Sequence, residues 1–217
     1  MPTRIKVCGI KRLEDALLAV ELGAAALGFN FYRPSPRYID PATARAVIER
    51  LPPFVTAVGV YASETEIGSI TATAREAGVA AIQLHGPRFP DLDGWPTSYP
   101  LIRAVAVAND FRSESLSNLR ANSFLLDACH PNLSGGTGRS FDWELARNAT
   151  RYGTIIVAGG LNPGNVGRAI QTVRPFAVDV ASGVESTPGQ KDPRLLRAFF
   201  VAVKEADHDL LQVAEEA

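Results

Sequence analysis

The sequence predicts an α/β fold, a (βα)8 TIM barrel that forms one domain over residues 1–217. Eight short apolar runs alternate with helix-like segments, and no linker or shift in composition divides the chain. The units recur about every 25 residues, as parallel β-crossover-β connections allow. A doubly wound open sheet is the competing architecture. We favour the barrel because eight alternating units close naturally, and because the length suits such barrels, which have roughly 200 to 400 residues.

The first two units have clear boundaries. The first strand ends near Cys8–Gly9, and an amphipathic helix follows that closes at Gly23. Leu27–Phe31 is the second strand. After a loop with two prolines, Asp40 caps and Pro41 opens the next helix, because aspartate accepts from free amides and proline suits the first turn.

The next two units are less regular. Val55–Tyr61 is the third strand, and Ser63 with Glu66 has the spacing of a capping box for the helix that follows. Ala81–Leu84 is a short fourth strand. The proline-rich piece up to Pro96 predicts only a short helix.

Two weaker units follow. Leu101–Val107 and Phe124–Leu126 are predicted as the fifth and sixth strands, and Phe111–Leu119 as a weak helix between them. His130–Ser140 has many glycines and turn formers and is predicted as a mobile loop. A helix from Phe141 to about Tyr152 should follow.

The last two strands end in small residues that suit a bound phosphate. Thr154–Ala158 stops at Gly159–Gly160, after which Asn162 can cap a helix that opens at Pro163. Glycine amides and a helix N-terminus attract anions, and the last two loops of such barrels commonly hold phosphate. Two ordinary turns are the alternative, of about equal weight. The strand Phe176–Val180 ends in Ala181, Ser182 and Gly183, and the last helix has an apolar stripe of Leu195, Leu196, Phe199, Phe200 and Val203.

Bulk properties argue against several classes of function. The net charge is −1 and the pI about 6.3, so no basic footprint for nucleic acid is present. No apolar run approaches the length of a membrane span, and strand-like sequence by Arg4 leaves no room for a signal peptide, so we expect a cytoplasmic protein. Two cysteines without metal-binding spacing make a structural zinc improbable.

Two residues at strand ends are the candidates for acid-base chemistry. Cys8 ends the first strand; free cysteines are usually buried apolar residues, but a thiol beside an anion-binding site can ionise more readily and act as base or nucleophile. Asp127 ends the sixth strand, where a carboxylate is costly unless it is paired, hydrated or used. A capping aspartate is the alternative, and a general acid is the functional interpretation.

Two further residues are candidates for substrate binding. Arg37 lies in the loop after the second strand, stiffened by Pro34 and Pro36, and its planar fork suits a carboxylate. His85 ends the fourth strand and could contact substrate, although a histidine before glycine is about as often structural.

An ordered set of motifs resembles one enzyme family, the phosphoribosylanthranilate isomerases of tryptophan biosynthesis, over about residues 5–200. The motifs are Lys6-Val7-Cys8-Gly9-Ile10, Gly28-Phe29, Ser35-Pro36-Arg37-Tyr38, Gln83-Leu84-His85-Gly86, Leu126-Asp127-Ala128, Gly135-Gly136-Thr137-Gly138, Phe141-Asp142-Trp143, Ala158-Gly159-Gly160-Leu161-Asn162-Pro163, Asp179-Val180-Ala181-Ser182-Gly183-Val184-Glu185, Pro188-Gly189 and Lys191-Asp192.

The resemblance implies an Amadori rearrangement of N-(5'-phosphoribosyl)anthranilate to 1-(2-carboxyphenylamino)-1-deoxyribulose 5-phosphate, without a cofactor or metal. Asp127 matches the family's general acid and Cys8 its general base, while Arg37 would hold the anthranilate carboxylate. The phosphate would bind the backbone around Gly159, Gly160, Ser182 and Gly183.

Two other functions remain open from the sequence. One is another phosphosugar isomerase, epimerase or synthase with the same phosphate site; those resembling the histidine-pathway isomerase should have a carboxylate where Cys8 stands. The other is a non-catalytic barrel that binds a phosphorylated metabolite without turnover. In each case the partner is a small phosphorylated molecule, and the chain is a monomer or a homodimer.

Overall fold

The computed structural model describes residues 1–86, 90–121, 123–128 and 140–215. Eight parallel strands pair in chain order, and the last pairs with the first, so the sheet closes into a barrel. The predicted (βα)8 barrel is confirmed. The strands are β1 Arg4–Cys8, β2 Ala26–Asn30, β3 Thr56–Ala62, β4 Ala81–His85, β5 Leu101–Val107, β6 Ser123–Ala128, β7 Thr154–Val157 and β8 Ala177–Val180.

Full α-helices follow the first three strands and the last two. They are α1 Leu13–Leu22, α2 Pro41–Ile48, α3 Ile67–Ala77, α4 Val166–Val173 and α5 Pro193–Glu215. Asp40 caps α2 as predicted, accepting from the amides of Ala42 and Thr43. In α5 the predicted stripe is buried except for Leu195, which is exposed, and the helix continues to Glu215. No helix among the described residues is both long and apolar enough to cross a bilayer.

Two apolar cores explain why the strands lack alternation. A small inner core fills the barrel, and a larger outer core lies between the strands and the helices, so most strands are buried on both faces. The inner core consists of Ala104, Leu125, Ile156, Ala158 and Ala177. Leu125 belongs to the inner core, so its side chain points into the barrel. Side chains alternate along a strand, so Asp127, two residues later on β6, is on the same inner face.

The middle units depart from the predicted helices. Only turns are present in residues 90–100, and short 3₁₀ helices replace the two helices expected later, at Ser113–Asn118, Trp143–Ala146 and Ala149–Arg151. Ser115 and Ser117 donate to the carbonyl oxygens three residues before them, which competes with a longer helix. Most of the predicted loop His130–Ser140 lies outside the described residues.

Two predicted helix starts are wrong. Ser63 has a φ of 60°, which is incompatible with a capping box, and Glu64 accepts from the two following amides instead. Asn162 forms a turn by accepting from the amide of Gly164, and α4 begins only at Val166. The sequence also did not predict the hairpin of β9 Glu185–Thr187 and β10 Gln190–Lys191, which follows β8.

Candidate active site

The candidate site lies at the carboxyl ends of the strands, where barrel enzymes place their chemistry. Cys8 ends β1 and Asp127 lies near the end of β6, with β8 and β7 between them in the closed sheet. The two glycine-bearing loops follow β7 and β8. The strand order therefore places the predicted phosphate loops between the predicted acid and base.

Cys8 is part of a buried charged cluster inside the barrel. Lys6 lies on the same face of β1, and its Nζ is 2.8 Å from Oδ1 of Asp179 on β8. Gly28 leaves room for the cluster, since a Cβ there would be 2.8 Å from the Cys8 Sγ and 3.2 Å from the Lys6 Nζ. Burial opposes the charge of Lys6, but Asp179 and Cys8 together raise its pKa.

The thiol of Cys8 is harder to ionise than the sequence suggested. Burial raises its pKa, and the neighbouring ammonium of Lys6 only partly offsets this effect. The expectation of a readily ionised thiol is therefore wrong for the free protein. A raised pKa makes the thiolate rarer, but it also makes each thiolate a stronger base for a proton on carbon.

Asp127 is held by two neighbours. Its Oδ1 accepts from the amide of Ala128 at 2.9 Å, and its Oδ2 is 3.2 Å from Nε2 of His85 at the end of β4. A Cβ on Gly159 would lie 2.7 Å from Oδ1. The carboxyl group is thus fixed against the glycine loop after β7, the first predicted phosphate loop, and His85 contacts the candidate acid.

The loops after β7 and β8 touch through their backbones. A Cβ on Gly183 would lie 1.8 Å from the carbonyl oxygen of Leu161, so only glycine allows this contact. Gly159 and Gly160 have φ values of 78° and 64°, a region that favours glycine. Among the described residues, none accepts a hydrogen bond from the amides of these three glycines. Free amides on two touching loops can bind a phosphate.

Two asparagines fix the first of these loops. The Nδ2 groups of Asn162 and Asn165 both donate to the carbonyl oxygen of Gly160, at 3.3 and 2.9 Å. The amide of Asn162 donates back to Oδ1 of Asn165 at 2.8 Å. Because the carbonyl of Gly160 is held on this side, the amides of the loop are held in place as well.

The side chain of Arg37 passes over Gly9 to the mouth of the barrel, the opening at the carboxyl ends of the strands. A Cβ on Gly9 would lie 2.6 Å from the Cδ of Arg37. Its Nε and NH2 donate to both carboxylate oxygens of Glu185, at 2.6 to 3.2 Å. Burial works against the charge of Glu185, but the bonds from Arg37 and the ammonium of Lys191 lower its pKa. The predicted carboxylate-binding residue thus already has one carboxylate partner in the protein.

Several charged residues of the mouth were not among the sequence candidates: Lys6, Asp179, Glu185 and Lys191. The sequence contains a signal for one pair, Lys6 and Asp179. Lys6 and Asp179 each interrupt an apolar strand, and they are register partners on adjacent strands. The other two lie on the unexpected hairpin. Asp127 is thus not the only carboxylate near the mouth, since Asp179 and Glu185 lie there as well. In the described part of the chain, no cluster of three or more histidine, cysteine, aspartate or glutamate residues could hold a metal ion.

Comparison with known proteins agrees with this geometry. The profile of the N-(5'-phosphoribosyl)anthranilate isomerase family matches residues 5–202. The chain belongs to this family. The isomerase of that name from Trichlorobacter lovleyi is 47% identical over 205 residues, which are 94% of this chain and 98% of the relative. The isomerase from Citrifermentans bemidjiense is 44% identical over 202 residues, 93% of this chain and 97% of the relative.

Solved structures of phosphoribosylanthranilate isomerases share the fold. The enzyme from Thermotoga maritima is 42% identical with a TM-score of 0.85, covering 94% of this chain and 99% of that one. Another isomerase structure, in complex with reduced 1-(o-carboxyphenylamino)-1-deoxyribulose 5-phosphate, is 42% identical with a TM-score of 0.82 and the same coverage.

The contact between the two loops of this isomerase predicts the effect of Gly183→Ala. The new methyl group must push the loops after β7 and β8 apart, so the amides predicted to bind phosphate move. We expect KM to rise by about 10-fold or more, with a smaller change in kcat, because phosphate binding is remote from the reacting atoms. Steady-state kinetics on the variant, with circular dichroism to confirm folding, measures this.

Gly167→Ala is the matched control, since a Cβ there meets only the Ala206 Cβ at an ordinary 3.7 Å. It should leave KM unchanged. A folded Gly183→Ala variant with the KM of the wild type would place the phosphate elsewhere.

The buried thiol generates a second prediction. Since burial raises the pKa of Cys8, alkylation should be slow at neutral pH and should accelerate only above about 8.5, the ordinary value for a free thiol. Iodoacetamide labelling of Cys8 across pH, in a Cys129→Ser background, measures the midpoint. A midpoint below that of a free thiol would contradict the assignment of Cys8 as a mostly protonated, strong base.

Proposed function

We propose that this chain converts N-(5'-phosphoribosyl)anthranilate to 1-(2-carboxyphenylamino)-1-deoxyribulose 5-phosphate, an Amadori rearrangement in tryptophan biosynthesis. One observation carries the proposal: a single rim bears a thiol, a histidine-held carboxyl group, two phosphate-type loops and a guanidinium, in an order that fits this substrate. Family membership supports the same reaction.

The substrate has an anion at each end, and the mouth has a matching site for each. Its phosphate would bind the amides around Gly159, Gly160, Ser182 and Gly183, and its carboxylate would bind Arg37. Both sites are remote from the reacting carbon atoms. Their binding energy can therefore hold the sugar between acid and base without taking part in the chemistry.

The reaction needs one proton delivered and one removed. Asp127 would protonate the ribose ring oxygen, so that the bond from this oxygen to C1' breaks and a Schiff base forms with the anthranilate nitrogen. The Cys8 thiolate would then take the proton from C2', and the bonding electrons move to give an enolamine. The enolamine tautomerises to the ketone of the product, so the reaction consumes no cofactor and releases no group.

Neighbouring groups favour each role. The ammonium of Lys6 favours the thiolate of Cys8, although burial outweighs it in the free protein. Nε2 of His85 lies 3.2 Å from Oδ2 of Asp127, and this contact would orient the acid. We therefore move His85 from the substrate-binding candidates to a positioning role beside Asp127.

We further propose that residues 1–217 act as one catalytic domain in the cytoplasm. One solved structure is of monomers generated from the dimeric isomerase of Thermotoga maritima; it is 39% identical to this chain with a TM-score of 0.82. For this chain the sequence left monomer and homodimer open. Light scattering of the purified protein decides between them.

The acid and base roles predict large losses in two isosteric variants. Cys8→Ser keeps the shape but replaces the thiol by a hydroxyl that is far harder to deprotonate, and Asp127→Asn keeps the shape but removes the transferable proton. Each should lower kcat by roughly 10² to 10⁴, with product affinity changed little. A spectroscopic assay of substrate conversion, with calorimetry of product binding, measures both quantities.

A non-catalytic barrel predicts binding without turnover even in the wild type, so the same assay separates that alternative. Near-normal turnover of Cys8→Ser would show that another group takes the C2' proton.

A further inference from the structure

Lys191 is a buried ammonium that the proposed chemistry does not use. Its side chain is fully buried. Its Nζ donates to the carbonyl oxygens of Cys8 at 2.6 Å and Ala181 at 3.2 Å, and to Oε1 of Glu185 at 2.9 Å. These three acceptors use all three protons of the ammonium.

The three acceptors belong to three different parts of the candidate site. Cys8 is the proposed base, Ala181 begins the second phosphate loop, and Glu185 holds Arg37. The backbone amide of Lys191 in turn donates to Asp15 of α1 at 3.2 Å, which fixes the hairpin against the barrel wall. One side chain thus connects the base, the phosphate loop and the carboxylate-binding residue.

Glu185 binds one edge of the Arg37 guanidinium and leaves the other edge available for a second carboxylate. The carboxylate binds the edge formed by Nε and NH2. A planar guanidinium has a second edge, formed by NH1 and NH2, that can bind a second carboxylate. Two cations and one anion make up the group of Arg37, Lys191 and Glu185, so a net charge of +1 remains. An anionic substrate group would neutralise it.

Stability alone does not account for this group. Desolvation of buried charges costs several kcal/mol per ion, and apolar side chains of similar volume often serve a fold equally well. The group lies at the catalytic rim rather than in either apolar core. Its position suggests a role in holding the site.

We propose that Lys191 and Glu185 are positioning residues for the isomerase reaction: Glu185 fixes the guanidinium of Arg37 so that its free edge faces the substrate carboxylate, and Lys191 holds Glu185, the Cys8 carbonyl and the second phosphate loop in one frame. This proposal rests on the proposed function, since it takes the substrate to be an anthranilate-bearing phosphosugar.

Glu185 could instead compete with the substrate carboxylate for Arg37, and this alternative predicts the opposite change in ligand affinity when Glu185 is neutralised. If Glu185 only competed with substrate for Arg37, its neutralisation would strengthen binding of a carboxylate. If it positions Arg37, the change to glutamine leaves two cations, Arg37 and Lys191, close together without the anion between them. Arg37 is the more exposed of the two, so it should turn away from the mouth.

The test compares two ligands by calorimetry: the reduced reaction product, which carries the carboxylate, and ribulose 5-phosphate, which does not. Glu185→Gln should weaken binding of the reduced product by about 10-fold and leave ribulose 5-phosphate within about 2-fold of the wild type. KM should rise with little change in kcat. Arg37→Ala removes the carboxylate-binding residue itself, so its affinity for the reduced product shows the largest loss that Glu185→Gln could cause.

Lys191→Met should differ from Glu185→Gln. It should weaken both ligands and lower kcat as well, because the phosphate loop and the carbonyl of the base residue both lose a donor. Asp192→Asn is the matched control: it is the next residue, and its side chain accepts from the amides of Arg194 and Leu195 at the start of α5. This control keeps an oxygen that can accept from the same amides, so it should leave both affinities and KM unchanged.

Unchanged or tighter binding of the reduced product by Glu185→Gln would overturn the proposal, and so would an equal loss for both ligands. These outcomes differ from failure of the proposed function, which is a wild-type protein without turnover. The ligand comparison uses binding alone, so it remains decisive if Lys191→Met fails to fold.

Discussion

Closure of eight parallel strands into a barrel brings all their carboxyl ends to one rim, and the whole site depends on this constraint. Cys8 and Asp127 are far apart in sequence, but only two strands separate them around the barrel. Those two strands carry the glycine loops, so the proposed phosphate site lies between the proposed base and acid. The inner apolar core below the rim supports these groups and keeps water from the barrel interior.

Closure of the barrel also brings charged side chains together at the rim. Because these side chains are largely shielded from bulk water, each charge needs an opposite charge or a hydrogen-bond partner within the protein. The mouth provides these partners in two groups: Lys6 with Asp179 beside the thiol of Cys8, and Lys191 with Glu185 and Arg37 beside its carbonyl. Each group contains a lysine in contact with Cys8. The base of the proposed reaction is thus surrounded by ammonium groups that can stabilise its thiolate once the substrate is in place.

The barrel could be predicted from the sequence because its strands are buried on both faces and recur at a regular interval. The middle helices could not be predicted correctly, and in the first of them, at Ser113–Asn118, serine side chains bond to local carbonyl oxygens. The predicted cap at Asp40 is correct because it depends only on neighbouring residues: the Asp40 side chain accepts from the amides of Ala42 and Thr43, and proline suits the first turn of a helix. The predicted box at Ser63 and Glu66 is wrong because it depends on a backbone conformation that Ser63 does not adopt.

The site could be predicted in part for the same reasons. The strand ends indicated Cys8, Asp127 and His85 as candidates, and the glycine pairs indicated the loops as candidate phosphate sites. The role of Lys191 could not be read from the sequence, because lysines are almost always exposed and its acceptor on Cys8 lies 183 residues away. Its pKa is lowered by burial, with Glu185 opposing this effect, which only the folded arrangement reveals.

The most direct test of the account is a crystal structure of this protein with the reduced reaction product. We expect the phosphate on the amides of Gly160 and Gly183, the carboxylate on the NH1–NH2 edge of Arg37 with Glu185 still on the other edge, and C2' within about 3.5 Å of the Cys8 sulfur, as a near-attack geometry requires. A ligand whose phosphate or carboxylate lies elsewhere, or whose C2' is out of reach of Cys8, would contradict it.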